Sequence, residues 1–306
     1  MLDYSALAAF AAVIREGSFD RAAASLGLTP SAVSQRVRGL EERLGAILVV
    51  RGAPCLPTDL GRTLSAHVDR VRLLEADLGL AGAGAAEPVS LRIAVNADSL
   101  ATWFPGAAAA FGQVGGATLD LVLDDEAHTA DRLRSGEVVA AVTADPEPVQ
   151  GCRTFPLGSL RYAACASPGF HQRFFSGGVD PAALALAPVL RFDRRDGLQA
   201  RWMREAHSCA PGAPTHWAPS THGFLDLALA GLAWGLQPVA LAEAHLAAGR
   251  LVELPPARRV AVSLFWTVSR LPSAALRRLT EAVRAAAVGA LVPSRANDGD
   301  DGGGGR

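Results

Sequence analysis

At 306 residues, the chain is long enough for two domains and for more than one hydrophobic core. Half of it is hydrophobic and the formal net charge is −1, so a nucleic-acid partner would have to be met by local placement of charge rather than by the whole-chain balance. The positive charge is all Arg, and the cysteines Cys55, Cys152, Cys165 and Cys209 lie far apart without C-x-x-C spacing. That argues against a zinc or redox site and for free thiols. The N-terminus lacks the basic start of a signal peptide, and no apolar run reaches the ~18 residues that span a bilayer. The expectation is a cytoplasmic protein that does not enter membranes.

Leu7, Phe10, Ala11 and Ile14 follow helical spacing and predict a first helix ending near Gly17. Ser18 caps a second helix through Leu26, and Gly27 stops it. Thr29 caps a third, with Pro30 at its first position, where a missing N–H costs nothing. Val33, Val37, Leu40 and Leu44 make one apolar stripe along it. Ser31, Gln35, Arg38 and Glu42 fall on the opposite face, flanked by Ser34 and Arg36. The segment ILVVRGAPCLPT, Ile47 to Thr58, reads as two short strands around a turn, a wing. A long helix follows, with Leu60, Leu64, Val68, Val71, Leu74 and Leu78 near heptad spacing, a seam that needs a partner surface.

AGAGAAEP, Ala81 to Pro88, is a small-residue linker. Beyond it VSLRIAV alternates as a strand, and strand-like and helix-like segments then alternate to about residue 290, the pattern of a parallel α/β sheet. The end of the chain, NDGDDGGGGR, has the composition of a disordered tail.

Three helices, a tight turn and a wing describe a winged helix-turn-helix, whose second motif helix enters the major groove. Gln35 is the residue type that pairs bidentately with adenine and Arg38 the type that pairs with guanine. Ser31, Ser34, Arg36 and Arg51 of the wing suit phosphates, which fix register without reading sequence. A solvated polar face on an ordinary helical bundle is the competing reading.

FDRAAASLGLTPSAVSQRVRGLEERLGAILVVR, followed by Pro57, Thr58 and Gly61, resembles the signature of the LysR-type transcriptional regulators. NADSLATWF, DDEAHT, AAVTADPEPVQGCR, RRDGLQ and AGLAWGLQP resemble the ArgP/LysG/IciA subgroup of that family. The resemblance implies an N-terminal winged helix-turn-helix, mainly α (1–59), a dimerisation linker helix and hinge (60–88), and an α/β effector domain of periplasmic-binding-protein type (89–290). That domain would have two lobes, lobe I about 89–160 and 267–290 and lobe II about 161–266, before a tail at 291–306. It further implies a homodimer or homotetramer that binds promoter DNA, works with RNA polymerase and responds to a small molecule. For the subgroup that molecule is lysine or arginine, and the regulated process is export of basic amino acids. No cofactor and no metal are expected. A LysR-type regulator of a different small molecule is the alternative.

Ser99, after the first strand of the second domain, would sit at a helix N-terminus suited to a carboxylate, with Thr102 one turn on, lining or core. Thr143 and Thr221 are placed to line a crevice from opposite sides. Asp125, Glu126, Asp193 and Asp196 are candidates for a ligand's positive charge, against the plainer reading of solvated loop ends. His222 is a second-lobe candidate, and His128 reads as a helix-start residue. No nucleophile motif, H-E-x-x-H helix or phosphate loop accompanies them, so an enzyme is not expected. Trp103, Trp234 and Trp266 are expected in cores.

Overall fold

The structure, a computed structural model, describes residues 3–78, 89–123, 128–210 and 212–293. Helices α1 (Tyr4–Glu16), α2 (Phe19–Leu26) and α3 (Pro30–Leu44) form where the spacing predicts. Each ends on a glycine in the left-handed region, where a Cβ would be strained: Gly17, Gly27 and Gly45, at φ 63°, 64° and 66°. Asp3 caps α1 through the N–H groups of Ser5 and Ala6, and Thr29 caps α3 by accepting from the Ala32 N–H at 3.2 Å. Ser18 stands at the start of α2 but makes no side-chain cap bond.

The wing is the antiparallel pair β1 (Val49–Val50) and β2 (Leu56–Pro57). Glu41 of α3 fixes its entry, with Oε1 accepting the N–H of Leu48 at 2.8 Å and of Val49 at 3.2 Å. Helix α4 (Asp59–Asp77) starts directly against the wing. A Cβ on Gly61 would lie 2.3 Å from the Leu48 carbonyl oxygen, so the approach is open to glycine alone.

The α4 seam is not a single free stripe. Leu64 and Val68 are buried in the same core as Phe10, Val33 and Val37, while Leu60 and Leu78 are exposed. Leu73, off the seam, packs into the core of the following domain. Asp77 accepts the N–H of Ala274 at 2.7 Å. A two-sided helix was missed because heptad spacing marks only one side.

The second domain begins with β3 (Val89–Val95), α5 (Ala97–Ala101), α6 (Phe104–Gly112), β4 (Ala117–Leu123), α7 (Thr129–Ser135) and β5 (Ala140–Thr143). β3 lies between β4 and β5 and is parallel to both. The long β6 (Cys152–Ala166) then leads into a second half made of α8 (Pro168–Phe175), α9 (Pro181–Leu186), β7 (Val189–Arg191), α10 (Leu198–His207), β8 (Thr215–Trp217), α11 (Thr221–Leu229), β9 (Gly235–Pro238), α12 (Val239–Ala247) and β10 (Val252–Glu253). β11 (Val260–Ser269) and α13 (Ala274–Ala290) bring the chain back.

The strand order is β10-β6-β11-β5-β3-β4, with β9 also on β6, and β7-β8 form a separate parallel pair. The expectation of a parallel sheet is therefore corrected in part. β11 is antiparallel to β5 and to β6, because a strand returning from the second half must run against the one that left. Alternation of segments reveals strands but not their direction. β6 and β11 together connect the two halves.

Trp202, Trp234 and Trp266 are fully buried and Trp103 nearly so, as expected of core residues. The Trp202 and Trp234 rings stand 5.3 Å apart, and Trp266 donates Nε1–H to Thr280 at 3.1 Å. The cysteines are free thiols, and burial pushes the Cys165 thiol up to about 12, which leaves it inert. The tail expected from 291 is corrected at its start. Leu291 is buried and Val292 exchanges backbone hydrogen bonds with Ser159 at 2.7 and 3.1 Å. Gly158 (φ 128°) permits this, since a Cβ there would lie 2.8 Å from the Val292 oxygen. Residues 294–306 and the 81–88 linker lie outside the described residues.

Candidate functional site

The structure brings together the sequence-predicted face of α3. Ser31, Gln35 and Arg38 are exposed, Ser34 and Arg36 half-buried on its flanks, and Val33, Val37 and Leu40 hold the opposite side in the core. Arg51 reaches this face from the wing. It donates to the Ser34 hydroxyl at 3.4 Å, and its guanidinium lies over the Phe19 ring, 4.8 Å from the centroid. Arg38 is paired with Glu42 at 3.2 Å, both side chains well exposed. An exposed i,i+4 pair is worth about 0.3–0.5 kcal/mol, less than the ~1–3 kcal/mol of a bidentate base contact. The guanidinium can therefore exchange Glu42 for a guanine edge.

A cleft of about 480 Å³ opens between the two halves of the second domain, within the size range of small-molecule sites. Its walls include Asn96 and Asp98 at the start of α5, Tyr162 of β6, Thr221 of α11 and Gln237 of β9, together with the loop from Phe192 into α10. Among the described residues three carboxylates line it, Asp98, Asp193 and Asp196, against two guanidinium groups, Arg195 and Arg201. Arg201 is already paired with Glu205 at 2.8 Å, and Arg195 with Asp193 at 3.6 Å.

Asp98 accepts from the Tyr162 hydroxyl at 2.7 Å and from the Thr221 hydroxyl at 2.7 Å. Burial raises its carboxyl above the ordinary carboxylate range. The two hydroxyl bonds oppose the shift, and the charge of Asp196 adds to it. The folded chain thus holds this proton more tightly than the unfolded chain does. Ionising Asp98 as pH rises through the raised value costs stability, a cost that a bound cation would offset. Gln237 is fully buried with neither amide atom partnered, and Gln199 is buried with its carbonyl oxygen unpartnered. Buried amides are nearly always satisfied, and both of these residues belong to the cleft wall.

Several expected residues stand elsewhere. Ser99 is fully buried, and its hydroxyl accepts Trp103 Nε1–H at 3.0 Å. Asn96, not Ser99, caps α5, accepting the Ser99 N–H at 2.8 Å. The helix is only five residues long. Thr102 turns back to donate to the Asp98 carbonyl at 2.6 Å, and buried Thr143 accepts the Asp145 N–H at 3.0 Å, leaving Ala144 to line the cleft. His222 is exposed and off the lining. His128 precedes α7, as a helix-start residue does. Thr221, Asp193 and Asp196 do line the cleft, whereas Asp125 and Glu126 lie outside the described residues. Asp98, Tyr162, Gln199 and Gln237 escaped the sequence reading. Of these only Asp98 has a sequence signal, standing one position before the serine of NADS.

Among the described residues no group of three His, Cys, Asp or Glu side chains is placed to hold a metal ion, and no helix is long and apolar enough to cross a membrane. Residues 4–62 match the family model of the bacterial regulatory helix-turn-helix protein, lysR family, and residues 86–288 match that of the LysR substrate binding domain. The chain belongs to the LysR family. As a LysR-family regulator it is similar to the HTH-type transcriptional regulator ArgP of Pseudomonas aeruginosa, with 45% identity over 297 residues, 95% of this chain and 98% of that one. The crystal structure of ArgP from Mycobacterium tuberculosis superposes with a TM-score of 0.78 at 43% identity, covering 96% of this chain and 100% of that one. Full-length LysG from Corynebacterium glutamicum with bound effector arginine gives 0.68 at 38% identity, covering 95% and 100%. This LysR-family chain is a transcriptional regulator and not an enzyme.

Proposed function

We propose that this regulator binds promoter DNA in the cytoplasm and changes its grip in response to lysine or arginine, controlling the export of basic amino acids. Gln35 and Arg38 read base edges, and Ser31, Ser34, Arg36 and Arg51 hold phosphates. The two halves of the second domain act as lobes of periplasmic-binding-protein type, joined by β6 and β11, and the cleft between them takes the effector. The protein works as a homodimer or homotetramer and meets RNA polymerase at the promoter.

The observation that carries the effector reading is the cleft itself, lined by the carboxylates of Asp98, Asp193 and Asp196 and the hydroxyls of Tyr162 and Thr221. The arginine bound to the C. glutamicum LysG supports it. A second reading, an effector that is an acid without a cation, is favoured by the presence of Arg195 and Arg201 at the same cleft. A thermal-shift screen of the twenty amino acids, norleucine and simple carboxylic acids that carry no amine decides between them, since a ligand of the folded state raises the unfolding temperature. Arginine and lysine should raise it and norleucine should not. A shift with acidic ligands and none with basic ones would favour the second reading.

A further inference from the structure

We propose that Asp98 receives the positively charged nitrogen of the effector, and that its bond to Thr221 ties that event to the arrangement of the two lobes. The proposal rests on the reading of the cleft as the site of a basic amino acid.

Asp98, Asp193 and Asp196 are not equivalent. Asp193 accepts the N–H groups of Arg195 at 2.7 Å and Asp196 at 2.9 Å and faces the Arg195 guanidinium. Asp196 accepts the N–H groups of Phe192 at 2.8 Å and Leu198 at 3.0 Å. Both are committed to shaping the loop that carries them. The side-chain partners of Asp98 are two hydroxyls, and among the described residues no cation stands among the charges that act on it. A carboxylate oxygen has two acceptor positions and a hydroxyl rotates freely, so each oxygen of Asp98 keeps one position for a ligand N–H.

Asp98 is on α5 of the first half and Thr221 on α11 of the second, 123 residues apart. Closing this bond requires the halves to approach. A ligand cation on Asp98 keeps the carboxylate ionised and so strengthens the hydroxyl bond that spans the cleft. Gln237 and Gln199 are wall residues of the same cleft.

An α-ammonium and a side-chain ammonium or guanidinium share this chemistry, and chosen ligands separate them. Citrulline keeps the α-ammonium of arginine and lacks the side-chain charge; Nα-acetylarginine is the reverse. Calorimetry on the full chain should show Asp98→Asn weakening arginine by about tenfold or more. The ligand lacking the nitrogen that Asp98 holds should bind wild type and variant alike, so an insensitive citrulline identifies the side-chain charge and an insensitive Nα-acetylarginine the α-ammonium. Arginine binding equally to wild type and Asp98→Asn overturns the proposal while the effector reading stands. A uniform loss for all three ligands also overturns it, because the loss would not follow a charge. Wild type that binds neither arginine nor lysine removes the effector reading as well. Thermal unfolding without ligand checks each variant's fold. Asp98→Ser, small and uncharged, serves if the Asn amide, which cannot accept from both hydroxyls as the carboxylate does, prevents folding.

Discussion

Gln35 and Arg38 stand one turn apart on the exposed side of α3, and their loss should look different from the loss of Arg51. A base-reading side chain contributes only where its base is present. Gln35→Ala and Arg38→Ala should each cost about 1–3 kcal/mol on the preferred site and relax preference at one position. Arg51, proposed to hold a phosphate, should on replacement by Ala weaken all sequences alike while reducing the salt dependence. Mobility-shift titrations at two salt concentrations on matched and altered sites separate the classes. Unchanged affinity and preference in both α3 variants would take this helix out of the groove. The residues of this face were legible because helical periodicity alone assigns them to a side. The cleft was less legible. Asp98 and Ser99 are neighbours in sequence, but ~100° of helical rotation separates their directions. It sends one to the cleft and the other to Trp103, and only the packing of Trp103 decides which.

Helix α4 connects the two cores, and its two ends behave differently. Leu64 is buried against the α1 to α3 core, whereas Val71 lines a groove of about 340 Å³ between α1 and α4, with Tyr4, Leu7 and Val68. Leu64→Glu should therefore unfold the N-terminal domain, because a buried unpaired carboxylate has no compensation. Val71→Glu should leave the fold intact and disrupt self-association at the groove. Circular dichroism and sedimentation on the two variants distinguish these outcomes. A Val71→Glu protein of unchanged oligomeric size would remove the groove from the assembly. The elements up to α4 were legible because caps and glycine stops are local: Thr29, Pro30, Gly17 and Gly27 act on their own helix ends. The direction of β11 and the attachment of Val292 to Ser159 were not, since both depend on segments about 100 residues away or more.

In the intact regulator the α3 face and the cleft communicate only if the effector prefers one arrangement of the molecule, since equal affinity for two states shifts neither. The physical links are present: Leu73 of α4 packs into the second core, and Asp77 bonds the first residue of α13. The most direct test of the whole account is selection of bound fragments from a random-sequence DNA pool, followed by titration of the winners with and without ligand. Arginine or lysine should change the affinity or the length of DNA protected by the full chain, norleucine should not, and the selected sequences should share one motif under both conditions. Identical affinity and protection with arginine, lysine and no ligand would contradict the account.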